Sequence, residues 1–259
     1  LNVLAFSNNT AIAGGNVFVL GNTFENTADR LARFAAAQGR RNILVTHAQT
    51  TAEEFARDAV LRALQDSRAS VAGVIPFPLS EAGVRAASSQ IVAQARATGA
   101  DAVFFTSDNA GAMAFLPQYL REQGFTSQTA QYIGLARLDL PAEAVSQPGL
   151  QGAWFALPDP SLSTRFRQRY TQAYGSGPHP LAGLAYDGIA AVGALAARGR
   201  ATALTRGELT TGSGFVGVNG IFRLRSDGTN QRGLAVAQIR DGSVVLIDAA
   251  PRNFGGAGF

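Results

Sequence analysis

The sequence predicts an α/β fold in two lobes, each a parallel sheet flanked by helices, joined by segments that cross between them. Three observations predict it. Strand-like and helix-like segments alternate from Asn2 to Pro158, in units of about 30 residues, the length of a βαβ unit. A long apolar helix over 180–198 has no new sheet of its own to lie on. The chain then closes on "GVNGIFRLRSDGTNQRGLAVAQIRDGSVVLID", residues 217–248, which reads as three strands in an antiparallel meander.

The elements follow in order. Asn2–Phe6 and Val17–Leu20 are short apolar strands separated by the polar loop "SNNTAIAGGN". Thr23–Gln38 is a helix, with Phe24, Ala28, Leu31 and Ala35 on one face and Gly39 as its stop. Asn42–His47 is a buried strand. "TAEEFARDAVLRALQD" is a helix opened by a Thr51–Glu54 capping box. "VAGVIPF" is a strand, Val84–Thr98 a helix ended by Gly99, and Ala102–Thr106 a strand. Asn109–Gln123 is a helix that Pro117 is expected to kink. "QYIGL" and "GAWFALP" (Gly152–Pro158) complete the strands.

The pattern then turns helical. Residues 160–174 place Phe166, Tyr170 and Tyr174 on one helix face, and 180–198 is apolar almost all round. A helix apolar on every side is expected to be covered on most of them. The strand Asn2–Phe6 is the natural surface for it. That expectation puts residues 1–18 and 155–212 in one lobe and 19–154 with 213–248 in the other, leaving 249–259 as a tail. The meander carries the chain back, turning at Ser226–Thr229 and at Asp241–Gly242, since Asp-Gly is a strong hairpin signal. Two lobes joined in this way form a hinge with a ligand cleft between them.

Composition narrows the function classes. The chain has 259 residues, 46% hydrophobic and 15% charged, enough for a sizeable core. All 22 basic residues are Arg, and they are scattered without interleaved aromatics, which argues against nucleic acid as a partner. There is no Cys, so disulfides, thiolate metal sites and thiol nucleophiles are excluded. No apolar run is long enough to span a bilayer. The chain opens directly in an apolar strand at Leu1 with no leader, which suggests that further residues precede it.

No enzyme signature emerges. Gly212–Gly217 matches GxGxxG, but a strand follows it where a dinucleotide site needs a helix, so a crossing segment is expected. His47 and His179 lack an acid at metal-ligand spacing, and neither a nucleophile elbow nor a P-loop occurs. No cofactor and no metal are expected. Asp187, alone inside the apolar helix, either pairs and caps or serves a site; Arg165 and Arg169 form a solvated face or a docking patch.

The strand ends are more informative, because ligands of open α/β sheets bind outside the carboxyl ends of the strands. Those ends read "SNNT" (Ser7, Asn8, Asn9, Thr10), "HAQTT" (including Thr50 and Thr51), "TSDNAG" (including Asp108 and Asn109) and "LAR" (ending at Arg137). They suit hydrogen-bonded recognition of something small and polar. Turn and cap duty explains them as well.

The ordered set "NVLAFSNN…NVFVLGNTFENTADRLARFAAAQGRRNILV", "ADAVFFTSDNAGAMAFLPQYLREQGF", "GLQGAWFALPDP…FRQRYTQAYGSGPHPLAGLAYDGIAAVGAL" and the closing meander resembles type I periplasmic binding proteins of the Leu/Ile/Val-binding group. Together with the "FGGAGF" tail it is similar to the lipoproteins called penicillin-binding protein activators. The resemblance implies the two-lobed fold with lobe one incomplete, and roughly 120 further residues ahead of Leu1 at about 30 per βα unit. It implies a non-enzymatic, periplasmic protein whose membrane attachment is a lipid anchor on that absent N-terminus. The function implied is regulation of peptidoglycan synthesis through a peptidoglycan synthase. The alternative is an ABC-transporter receptor, with a permease as partner and a small polar or anionic ligand in the inter-lobe cleft. The family's amino-acid receptors use lobe-one hydroxyls, for which Ser7 and Thr10 qualify. They also use lobe-two aromatics, near Thr50–Thr51 and Asp108–Asn109, and an acid near Ala136–Arg137. Those aromatics and that acid are lacking, and Arg137 would repel an ammonium group.

Overall fold

The computed structural model describes residues 1–197, 199 and 202–255, and the chain divides into two units. The first comprises 1–26, 158–235 and 249–259; the second comprises 27–157 and 236–248. Strands β1 (Val3–Ala5) and β2 (Val17–Val19) open the chain. There follow α1 (Phe24–Ala37), β3 (Asn42–Ala48), α2 (Thr51–Asp66), β4 (Ser70–Phe77), α3 (Glu81–Thr98), β5 (Ala102–Phe105), α4 (Leu116–Glu122), β6 (Gln131–Gly134) and β7 (Trp154–Leu157). Helices α5 (Pro160–Tyr174), α6 (Ala182–Ala196) and α7 (Arg206–Leu209) precede five strands: β8 (Phe215–Gly217), β9 (Gly220–Leu224), β10 (Asn230–Arg232), β11 (Ala235–Arg240) and β12 (Ser243–Asp248).

The second unit is a seven-stranded sheet in the order β12-β11-β7-β6-β5-β3-β4. The pairs from β7 to β4 are parallel, and β11–β12 is an antiparallel hairpin at one edge. Buried parallel strands read as continuous apolar runs, which is why Ile43–Val45 and Val103–Phe105 carry no alternation. Helix ends obey local chemistry. Ser80 Oγ caps α3 by accepting from Gly83 N, and Gly99 ends it at φ 64°, a left-handed conformation that costs glycine nothing. Tyr132 is wholly buried, so its hydroxyl requires a partner and donates to Phe125 O at 2.7 Å.

Two local expectations are corrected here. Pro117 does not kink a long helix; it lies in the first turn of the short α4, behind a 3-10 turn at Ala112–Ala114. Proline is tolerated there because the first-turn N–H groups lack partners in any case. The N-cap of α2 is Thr50 rather than Thr51, with Thr50 Oγ1 accepting from Glu53 N at 3.3 Å.

The first unit holds the parallel pair β1–β2 and a three-stranded antiparallel sheet, β10-β9-β8. The expected three-strand meander over 217–248 is therefore four strands, β9 to β12, divided between two sheets. The turns at 226–229 and 241–242 stand as predicted, but only β11 and β12 join the larger sheet. Residues 19–26 and 213–235, expected in the second lobe, fall in the first unit, and 155–157 in the second. The reason is a buried polar network. Asn230 Nδ2 donates to the carbonyls of Val19 and Gly21, and Arg232 Nε donates to Leu20 O. Asp187, wholly buried in α6, accepts from Val218 N at 2.6 Å and faces the Arg232 guanidinium at 3.4 Å. Burial pushes the Asp187 carboxyl up against the opposing pull of Arg232, and it remains above the ordinary carboxylate range. Any side chain at Gly217 would strike that carboxylate, since a Cβ there lies 2.4 Å from it. This is the requirement behind one glycine of the GxGxxG run.

Helix α6 departs from expectation in its cover. Its Ala191 and Leu195 pack with Phe18, Leu20, Phe222 and Leu224, and Gly188 lets Leu20 and Leu4 approach. The opposite face, with Tyr186, Ile189 and Ala190, is exposed. Residues 249–255 are not a free tail: Phe254 stacks under the Arg223 guanidinium at 4.6 Å. The remainder of the expected tail, 256–259, lies outside the described residues. No helix among the described residues is long and apolar enough to cross a membrane.

Candidate functional site

The carboxyl ends of β3, β5 and β6 gather a polar cluster in the second unit. Its centre is Glu53, in the first turn of α2. Glu53 Oε2 accepts from Ala48 N at 2.6 Å and from Thr106 Oγ1 at 2.9 Å. Ser107 Oγ lies 2.8 and 2.7 Å from its two carboxylate oxygens. Thr106 and Ser107 are buried, so these bonds exchange little water and carry the added strength of a charged acceptor. Thr50 caps the helix that supplies Glu53, and the exposed Thr51 is its first residue. His47 is buried beneath, with Nδ1 at 3.0 Å from Ala48 O.

The other predicted site residues are placed as follows. Asp108 Oδ1 accepts from Ala110 N at 3.0 Å and Gly111 N at 2.9 Å, which closes the loop after β5. Asn109 Nδ2 donates to Leu138 O and Leu140 O at 3.1 and 2.9 Å, tying that loop to the one after β6. Asn109 Oδ1 is buried with no hydrogen-bond partner. Arg137 forms a two-point pair with Asp139, at 2.6 and 2.5 Å, and is about one-third exposed. The Arg137 charge is thus matched two residues away in the chain.

Ser7, Asn8, Asn9 and Thr10 belong to the first unit and are described with it. Ser7 Oγ accepts from Asn9 N at 3.0 Å, Asn9 Oδ1 caps a 3-10 turn by accepting from Ala11 N at 2.9 Å, and Thr10 Oγ1 donates to Glu25 at 3.2 Å. Asn8 is exposed. His179 Nδ1 accepts from Leu181 N at 3.2 Å. Among the described residues no three His, Cys, Asp or Glu side chains gather as a metal site.

Sequence reasoning missed Glu53 and Asp139. The capping pattern at this helix start points equally to Thr51 with Glu54, one residue beyond the observed pair of Thr50 and Glu53. Asp139 lay outside the strand-end segment that ends at Arg137.

The chain belongs to the periplasmic binding protein family, whose model matches residues 2–243. Members of that family are periplasmic. The fold is similar to the leucine binding protein LivK of Thermotoga maritima, at 17% identity and a TM-score of 0.67, covering 96% of this chain and 73% of that one. It is also similar to a solute binding protein of an ABC transporter from R. palustris in complex with benzoate (16% identity, TM-score 0.62, 92% and 66% covered). LpoA of Haemophilus influenzae shares the fold at 17% identity and a TM-score of 0.67, covering 96% of this chain and 44% of LpoA. No curated protein matches the sequence.

Proposed function

We propose that this chain is a non-enzymatic envelope regulator that resembles the penicillin-binding protein activators and acts by contact with a peptidoglycan synthase. The observation that carries the reading is how the strand ends are used. Glu53, Asp108 and Arg137 hold their charged groups on the protein's own backbone and side chains. A solute receptor needs such groups aimed at its ligand. The sequence resemblance to the activators and the likeness to LpoA point the same way. A lipid anchor on a longer N-terminus belongs to this reading.

One observation favours a second reading, an ABC-transporter receptor for a small polar or anionic solute. Asn109 Oδ1 is buried and unpartnered, and a buried polar atom without a partner costs free energy that a ligand donor would recover. Under that reading the solute lies at the ends of β5 and β6, beside Asp108, Asn109 and Arg137.

A thermal-shift panel of amino acids, small organic anions and peptidoglycan fragments separates the two. A solute at about 100 times its Kd adds roughly 2.7 kcal/mol, a rise of about 5 °C or more at this size. The regulator reading predicts a flat panel. A clear solute hit that is lost in Asn109→Ala establishes the receptor.

A further inference from the structure

The two edges of the seven-stranded sheet differ in kind. At one edge, β4 is blunted in three ways. Ala72 is an extra residue there, since Ile43 pairs with Val71 and Leu44 with Gly73. The Ala72 carbonyl already accepts from Gln94 Nε2 at 3.3 Å, and Pro76 has no N–H to offer. Bulges, prolines and occupied backbone groups keep an edge strand from pairing with another chain. At the other edge, β12 carries none of these over Ser243–Leu246. Its one irregularity, the unpaired Ile247, comes after this run. Among the described residues no backbone bond outside the hairpin itself engages 243–248.

The turn fixes which groups of β12 face outward. Asp241 and Gly242 have φ of 51° and 70°, a two-residue turn of the I′ kind, and Arg240 pairs with Ser243 across it. That closing pair exchanges both its hydrogen bonds, and the pattern alternates along the ladder. Val245, opposite Gln238, therefore turns its N–H and C=O into the hairpin, while Val244 and Leu246 turn theirs out. The Val244 and Leu246 side chains share one face and are 41% and 49% exposed.

We propose that β12 is the contact by which two copies of this chain pair, edge to edge and antiparallel, about a two-fold axis through Val245. In this register Val244 of each copy meets Leu246 of the other, and the two pairs make four backbone hydrogen bonds. Apolar side chains meet on both faces, Val244 against Leu246 on one and Val245 against its own copy on the other. A two-fold contact requires such self-complementarity, and this property selects a second copy over a foreign strand. A six-residue strand is about 20 Å long, so the contact buries less than the roughly 800 Å² per partner of a standard stable complex. The dimer is accordingly a concentration-dependent one, and it stands under either functional reading.

Sedimentation velocity over about a hundred-fold range of protein concentration tests it. The apparent mass rises from one copy toward two. Val244→Pro removes the outward N–H from each side of the contact and no bond of the β11–β12 ladder, and an edge strand tolerates proline where its N–H faces solvent. This variant stays at one copy throughout, with an unchanged thermal midpoint at the lowest concentration. The chain has no cysteine, so one introduced thiol reads the register. Val245→Cys places two thiols at a non-hydrogen-bonded pair, where Cα atoms are about 4.5 Å apart, within disulfide reach. Under mild oxidation it forms a covalent dimer about 10-fold faster or more than Gln90→Cys, exposed on α3. A single-copy mass across the range overturns the proposal, as does a dimer of Val244→Pro or equal cross-linking rates for the two thiols. Should Val244→Pro fail to fold, the thiol comparison decides on its own.

Discussion

Glu53 and Ser107 are separated by 54 positions in the chain, yet the Ser107 hydroxyl reaches Glu53 Oε2 at 2.7 Å. With Ala48 N and Thr106 on the same carboxylate, the first turn of α2 is fastened to the ends of both β3 and β5. Removing the carboxylate leaves the Ala48 N–H and the buried Ser107 hydroxyl without their acceptor, and leaves the Thr106 hydroxyl with only the longer bond to Thr46 O at 3.3 Å. Glu53→Ala is expected to cost about 2–3 kcal/mol, read as a fall in urea midpoint at unchanged slope. Glu53→Gln keeps one acceptor oxygen and is expected to lose less. Equal losses for the two variants contradict this account of the cluster.

Asp187 and Arg232 form the other buried charge relationship, with side chains 0% and 4% exposed. Truncating one member strands the other. Asp187→Ala is expected to destabilise by about 3–5 kcal/mol, whereas replacing both by apolar residues of similar volume recovers most of the loss. Equilibrium unfolding of the two variants decides it. A double variant as damaged as the single one contradicts the account.

Asp159 makes stability depend on pH. Burial pushes its carboxyl up, but hydrogen bonds from Ser161 and Leu162 outweigh that and hold it below the ordinary carboxylate range. A carboxyl lowered on folding contributes stability above its unfolded value of about 3.9, and loses it as pH falls through the lower folded value. Asp159→Asn keeps the N-cap of α5 and is expected to flatten this acid limb while changing neutral stability little. Asp159→Ala removes the cap and costs about 1 kcal/mol. Urea midpoints between neutral pH and the acid limb read both effects.

The Arg137–Asp139 pair is part-exposed, with Arg137 at 35%. Arg137→Ala is expected to cost no more than about 1 kcal/mol. Under the regulator reading it also leaves synthase affinity within about two-fold, a difference of less than half a kcal/mol. A large loss of affinity in a titration assigns Arg137 to a binding surface.

Much of the fold was legible because its signals are local. Thr51–Asp66 carries a helix pattern with matching bounds, Gly99 marks the end of α3, and the apolar runs of β3 and β5 announce a buried parallel sheet. What stayed hidden depended on distant partners. The strands of 217–248 look alike in sequence, and the bonds of Asn230 and Arg232 to residues more than 200 positions away hold β10 in the first unit. The apolar pattern of α6 shows that it can be buried on all sides, not which side is covered. Of the site, the polar strand ends were readable as positions. Glu53 was not, because Thr50 and Thr51 offer two equivalent caps followed by Glu53 and Glu54.

The most direct test of the central claim is a binding titration of the full-length protein against the periplasmic part of a peptidoglycan synthase from the same organism. The account predicts saturable binding at about micromolar Kd or tighter, some 8 kcal/mol, unaltered by any small solute. Absence of binding, together with a solute that stabilises the protein, would contradict it and leave the receptor reading in its place.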